Sequence, residues 1–188
     1  MNKERVEQLI RELLIELGED PNREGLERTP SRVAETWHVL TRGYREDPRE
    51  ITSGATFECE LNNMIIAHNI EIYSLCEHHM LPFYGRCHIG YVSQERILGV
   101  SKLARIADCY ARRLQNQERM TTQIAKAVMQ AAKGQGVGVV IECRHLCMMM
   151  RGVEKQNSIM TTSSVLGTFR SDPSTRQEFL SLISRQTH

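Results

Sequence analysis

The chain has 188 residues, room for one domain with a buried core or for a compact domain with a smaller appendage. Apolar residues make up 40% and charged residues 25%, ordinary globular usage that excludes a disordered tail or a fibrous protein. Lysine plus arginine (24) nearly balance aspartate plus glutamate (23), so a formal charge of +1 gives no global pull toward nucleic acid or an acidic membrane, and any basic site must be local.

The opening MNKERVEQLI carries charges where a signal peptide needs its apolar region, and no apolar run is long enough to cross a bilayer, so a cytoplasmic protein is expected. From roughly 4 to 17, Val6, Leu9, Ile10, Leu13, Leu14 and Leu17 recur at helical spacing and Gly18 ends the stretch. Thr29 as cap and Pro30 as first helical residue open a second helix carrying Val33, Trp37 and Leu40, with Gly43 as its stop. These two helices have no partners in their own stretch and form an N-terminal extension, 1–48, to a domain over 49–188.

Period two and short apolar runs then mark strands at 64–74, 86–93 and 97–100. Ser101 is expected to cap a helix through Leu103, Ile106, Ala107, Tyr110 and Leu114, and a further helix runs from about 121 to Lys133, closed by Gly134. Residues 137–150 and 158–169 read as a second strand pair, and Asp172 with Pro173 opens a terminal helix carrying Phe179, Leu182 and Ile183. Strands joined by short connections, with helices grouped on one side, indicate an α+β fold. Neither GxGxxG nor GxxxxGK[ST] occurs, so a bound phosphate needs another cradle.

The densest chemistry lies in SLCEHHMLPFYG, where Cys76, Glu77, His78 and His79 stand together. The C-x-x-H spacing of Cys76 and His79 lets one tight turn aim two side chains at one ion, with His78 pointing elsewhere. In CRHLC, read as strand, Cys143, His145 and Cys147 would share a face, and either cysteine could supply a third ligand. Two thiolates and an imidazole suit zinc, and three protein ligands leave a position for water, the mark of a catalytic site; a fourth ligand from Cys143 would instead make a closed structural one. Six cysteines in a chain this long are better read as thiols or ligands than as a disulfide framework, and Cys59, Cys87 and Cys109 as buried thiols. Lys102 and Arg105, at the positive end of the helix opened by Ser101, and Arg151 after the second cluster could hold an anion such as a triphosphate; the alternative is a solvated helix face.

These segments together resemble the GTP cyclohydrolase I family: ERTPSRVA (27–34), YSLCEHHMLPFYGRCHIGY (73–91), GVSKLARI (99–106), QNQER (115–119), RHLCMMMRGV (144–153) and TTSSVLGTF (161–169) follow one another over nearly the whole chain. The resemblance implies conversion of GTP and water to 7,8-dihydroneopterin triphosphate and formate. It implies Zn2+ on Cys76, His79 and Cys147, which decides against Cys143 by analogy, and a catalytic set of His78, His145, Ser101 and Glu77. His78 would protonate the leaving ring nitrogen, His145 would relay a second proton and Ser101 would help the sugar rearrangement. Glu118, with Gln117 beside it, would recognise guanine, and Lys102, Arg105 and Arg151 would hold the triphosphate, joined by Arg32 from a neighbouring subunit. The implied fold is the tunnelling fold, a ββααββ unit, assembled as a homodecamer with active sites at subunit interfaces.

Overall fold

The structure is a computed structural model that describes residues 1–58, 63–94 and 96–184; Cys59 lies outside the described residues. It divides into two units, Met1–Arg42 and Gly43–His188. In the first, α1 (Lys3–Glu16) is capped by Asn2, whose side chain accepts from Arg5 N at 3.0 Å, and Gly18 takes the left-handed φ of 84° that stops it. α2 (Thr29–Leu40) has Arg28 at its cap and Pro30 in its first turn, so Thr29 is already helical, and Thr41 rather than Gly43 ends it. A Lys3–Glu35 ion pair ties α1 to α2, while Leu13 and Leu17 remain exposed.

A 3-10 turn (Arg42–Arg45) spans the boundary in sequence, and a short α3 (Pro48–Thr52) follows in the second unit. Two strands, β1 (Thr56–Glu58) and β4 (Arg96–Leu98), form a small sheet. The main sheet has the order β5-β2-β3-β6-β7, with β2 (Met64–Cys76), β3 (Pro82–Val92), β6 (Gly136–His145) and β7 (Met160–Gly167) antiparallel to their neighbours. The two-residue β5 (Leu114–Gln115) lies parallel to Leu75 and Cys76 at the end of β2. Between the strand pairs run α4 (Val100–Ala111) and α5 (Gln117–Ala132). This β2-β3-α4-α5-β6-β7 order is the ββααββ unit of the tunnelling fold.

Alternation along the strands builds the core. Phe83, Cys87, Ile89 and Tyr91 of β3 and Val137, Val139, Ile141 and Cys143 of β6 join Leu103 and Ile106 of α4 and Met120, Ile124 and Val128 of α5 in one buried cluster. Helices are not confined to that side. α7 (Thr168–Ser171) and α8 (Pro173–Ser184) set Phe169 and Phe179 against the opposite face, where Gly138 and Gly90 make room: a Cβ would lie 2.6 Å and 2.7 Å from those rings. The rest of that face is polar, with Glu71, Arg86, Glu142 and Thr161 in one cross-strand row.

The boundaries of α4, α5 and β6 differ from the sequence reading for local reasons. α4 starts at Val100 with Gly99 as its cap, so Ser101 lies inside the first turn and caps nothing. α5 starts at Gln117 because the Asn116 side chain accepts from Arg119 N at 2.8 Å, before the apolar stripe begins, and Lys133, left-handed at φ 47°, ends it in place of Gly134. β6 stops at His145: residues 146–149 wind into a single turn, α6 (Leu146–Met149), with Met150 N bonded to Leu146 O at 3.0 Å.

Candidate active site

The site forms where three chain segments meet at one end of the sheet. Cys76 is the last residue of β2, and the turn after it is held by Cys76 N to Leu81 O at 2.8 Å and Met80 N to Cys76 O at 2.7 Å. Met80 accepts a left-handed φ of 57°, which reverses the chain within four residues and brings His79 back toward Cys76. Cys147 arrives from α6. Because β6 has ended, it does not share a strand face with Cys143 and His145; the helical turn re-aims it.

Cys76, His79 and Cys147 place their ligand atoms within 4.8 Å of one another, the only group of its kind among the described residues. Cys76 Sγ is 3.8 Å from His79 Nδ1. Cys143 stays in the core, 1% exposed, and burial pushes its thiol up to about 12, so it is neither near the group nor ready to ionise. Burial and the adjacent Cys76 also push the Cys147 thiol up, the response of two thiols that cannot both ionise side by side without a cation. Soft sulfur donors, one imidazole and this mutual repulsion fit a divalent metal such as zinc.

His78 does not point away: its Nδ1 is 3.8 Å from Cys76 Sγ, and its ring stands edge-on to that of His79 with centroids 6.3 Å apart, largely exposed. Arg151 reaches the group from the loop after α6, with Nη1 3.2 Å from His79 Nε2. Glu77 turns to α5, accepting from Asn116 Nδ2 at 3.0 Å and pairing with Arg119, which holds its carboxyl below the usual carboxylate range.

His145, at the end of β6, is 9% exposed and stacked on Phe83, with centroids 4.5 Å apart and planes 7° from parallel. Gln117 fixes which of its nitrogens carries the proton. The Gln117 Nε2 lies 3.0 Å from Ile141 O, 2.9 Å from Met160 O and 3.0 Å from Thr162 Oγ1, all acceptors, so its Oε1 must accept from His145 Nε2–H at 2.8 Å. In the neutral ring Nδ1 then holds the lone pair. Burial lowers the pKa of His145, opposed by the nearby charge of Glu118. Gln117 is thus spent inside the protein, and Glu118, next to it in the first turn of α5, is the exposed member of the pair.

Ser101 and Lys102 are not at this end, and Arg105 lies midway along α4. The last turn of α4 lies beside the metal end of β2, with Ser74 Oγ donating to Arg113 O at 3.4 Å and Arg112 over the Tyr73 ring. Its first turn, a helix length of ~18 Å away, lines a groove with Ile66, Ala67 and His68 of β2. Arg32 belongs to the first unit, on α2. Sequence reasoning missed Phe83, Asn116, Arg119 and Thr162. All four lie inside the family-like segments but carry no motif signal of their own, and Thr162 is a polar residue that only its strand position makes informative.

A sequence profile of GTP cyclohydrolase I matches residues 6–184. The chain is 55% identical over 183 residues to GTP cyclohydrolase 1 of Leptospira biflexa serovar Patoc, covering 97% of this chain and 100% of that one. It is 57% identical over 180 residues to GTP cyclohydrolase 1 of Alkalilimnicola ehrlichii, covering 96% and 97%. A solved structure, archaeosine synthase QueF-Like in the apo form, is similar at a TM-score of 0.48 and 12% identity, over 57% of this chain and 97% of that one. With a profile match over almost its full length and relatives at this identity, the chain belongs to the GTP cyclohydrolase I family.

Proposed function

We propose that this chain opens the imidazole ring of GTP by hydrolysis, releases formate, and rearranges and recloses the remainder to 7,8-dihydroneopterin triphosphate. The observation that carries the reading is the Cys76, His79 and Cys147 group: three donors converge, and the one other cysteine of the segment, Cys143, is buried out of reach. Those three residues would hold Zn2+, which supplies Lewis-acid activation of water for attack on C8 of the purine. A closed structural site would need a fourth ligand, and Cys143 does not offer one.

The remaining roles follow from position. His78, exposed at the rim of the group, is the general acid for the leaving ring nitrogen. His145 offers Nδ1 as a proton acceptor in the tautomer that Gln117 enforces, and Phe83 keeps its ring in plane. Glu118 accepts from the N1–H and 2-amino groups of guanine, a pattern adenine does not reciprocate. Arg151, beside His79, takes part of the triphosphate, and Lys102 and Arg105 the rest, with Arg32 as a further contributor. Ser101 serves the sugar rearrangement.

Ser101 and Lys102 sit ~14–15 Å along α4 from its last turn and Arg105 ~9 Å, so a second copy is the better source of these groups for the metal group. Both outer edges of the sheet support such association: β5 covers only Leu75 and Cys76 of β2, and β7 pairs on one side alone. The assembly is a homodecamer with interfacial sites, in the cytoplasm, with residues 1–48 as a helical extension against neighbours of the 49–188 domain. No described helix is long and apolar enough to cross a membrane.

The test is incubation of zinc-loaded protein with GTP, following formate release and the fluorescence of the oxidised pterin. Both signals are expected. Formate alone would put the defect in the rearrangement around Ser101; neither signal, with zinc bound, would replace the enzyme reading by a non-catalytic zinc module.

A further inference from the structure

Glu77 stands between Cys76 and His78 in sequence; both its carboxylate oxygens accept from the segment that opens α5, and Oε1 also lies 3.8 Å from His78 Nε2. Oε1 accepts from Asn116 Nδ2 at 3.0 Å, and Oε2 pairs with the Arg119 guanidinium. Its backbone N–H donates to Gln115 O at 2.9 Å. Arg119 is itself anchored, donating Nη2 to Leu114 O at 3.2 Å and Nε to Gln115 Oε1 at 3.1 Å, while its N–H is capped by Asn116 Oδ1 at 2.8 Å. Gln115 completes the brace through Nε2 to Tyr110 O at 3.0 Å and to Gln123 Oε1 at 2.8 Å. The turn that carries two metal-group residues is thereby locked to residues 114–119 by charge-assisted and backbone bonds.

Both carboxylate oxygens already accept from side chains of the α5 segment, and breaking the bond to Arg119 would leave that guanidinium without its counter-ion. The residue held by this brace is the one that follows Gln117: Glu118 lies between Asn116 and Arg119, both bonded to Glu77. We propose that Glu77 is a positioning residue, clamping the first turn of α5 to the metal turn through Asn116 and Arg119 so that Glu118 meets the guanine base in register with Cys76, His79 and Cys147. This rests on the role given above to Glu118. It separates two functions that adjacent residues would otherwise share: His78 handles protons, and Glu77 sets the distance between base recognition and ring attack.

The experiment uses the full-length, zinc-loaded chain and the variants Glu77→Gln, Glu77→Ala, Arg119→Ala, the double alanine variant, and the exchange Glu77→Arg with Arg119→Glu. Zinc per chain, kcat and KM for GTP, and the preference for GTP over inosine triphosphate, which lacks the 2-amino group, are measured. Zinc content is expected to hold. Glu77→Ala and Arg119→Ala should each reduce the GTP preference about tenfold, chiefly through KM, with the double variant no worse than either. Glu77→Gln should fall between wild type and alanine, and the exchange should recover part of the loss.

A proton-transfer role for Glu77 would show the opposite pattern: Glu77→Gln as damaging as Glu77→Ala in kcat, base preference unchanged, Arg119→Ala near wild type and no recovery on exchange. That result overturns the clamp, as would independent losses that multiply in the double variant. The same preference read calorimetrically, as relative binding of the two nucleotides, needs no turnover. A wild-type chain that binds GTP selectively but releases no formate defeats the catalytic reading and leaves the clamp testable; one that binds both nucleotides equally defeats the clamp.

Discussion

At the residue scale, neighbours in sequence divide sharply by what they touch. Cys76 belongs to the three-donor group, whereas His78 stands at its rim, so Cys76→Ala should lose both zinc and ring opening while His78→Ala keeps zinc and loses ring opening. Metal analysis beside formate release checks this; a zinc-free His78→Ala protein would make His78 a ligand. Cys143→Ala should keep stoichiometric zinc and activity, since its thiol is buried among core side chains and outside the group.

His88 offers a pH test away from the site. It is 5% exposed, its Nδ1 accepts from Asn69 N–H at 3.4 Å, and burial lowers its pKa against the opposing pull of Glu142 on β6. The unfolded chain takes up a proton near the ordinary histidine value of ~6.5 where the folded chain does not, so stability falls as pH drops through that value toward the lower folded pKa. The slope is at most about 1.4 kcal/mol per pH unit from this group. Urea midpoints at pH 7.5 and 5.5 should therefore separate less in His88→Gln, which keeps an acceptor for Asn69, than in wild type. Equal separation would mean that His88 protonates without cost.

At the element scale, α8 depends on one ring. Phe179 is fully buried, packs edge-on against Phe169 with centroids 5.4 Å apart, and fills the space left by Gly90 and Gly138. Phe179→Ala should cost about 3–5 kcal/mol in urea unfolding yet leave zinc content intact, because the metal group lies at the other end of the strands. A loss below ~1 kcal/mol would mean that α8 is peripheral to the fold. The existence of α8 was legible in the sequence from Asp172 and Pro173, and Asp172 does accept from Ser174 N at 3.0 Å and Thr175 N at 3.1 Å. Its seat was not, because a glycine in a strand does not announce which ring will use the space. The ββααββ order was legible for a similar reason, being a matter of period. The end of β6 was not: Leu146 and the methionines after it continue an apolar pattern that suits a strand or a helical turn equally, and only the Met150 to Leu146 bond selects the turn. The same ambiguity explains why Cys143 and Cys147 could not be told apart by spacing, although the thiols end in a dry core and in the metal group respectively.

At the scale of the whole molecule, the unresolved link between residue and activity is distance. α4 runs alongside β2 with its last turn at the metal end, which sets Lys102 ~14 Å and Arg105 ~9 Å along the helix from that end. For Lys102 one side chain does not close that gap, and in the proposed assembly another copy, joined along the sheet edges, would do so. The consequence is complementation. His78→Ala and Lys102→Ala chains should each be nearly inactive alone, one lacking its proton donor and the other part of its anion cradle. Unfolded together at equal concentration and refolded with zinc, they should assemble at random. A site that draws His78 from one copy and Lys102 from another is then intact with probability one half times one half, so the mixture should recover roughly a quarter of wild-type activity. Sites contained within one chain would gain nothing from mixing, since every chain in the mixture carries one of the two lesions; activity no higher than the average of the separate variants would therefore return Lys102 to a solvated helix face and require the triphosphate to be held by Arg151 and residues of its own copy.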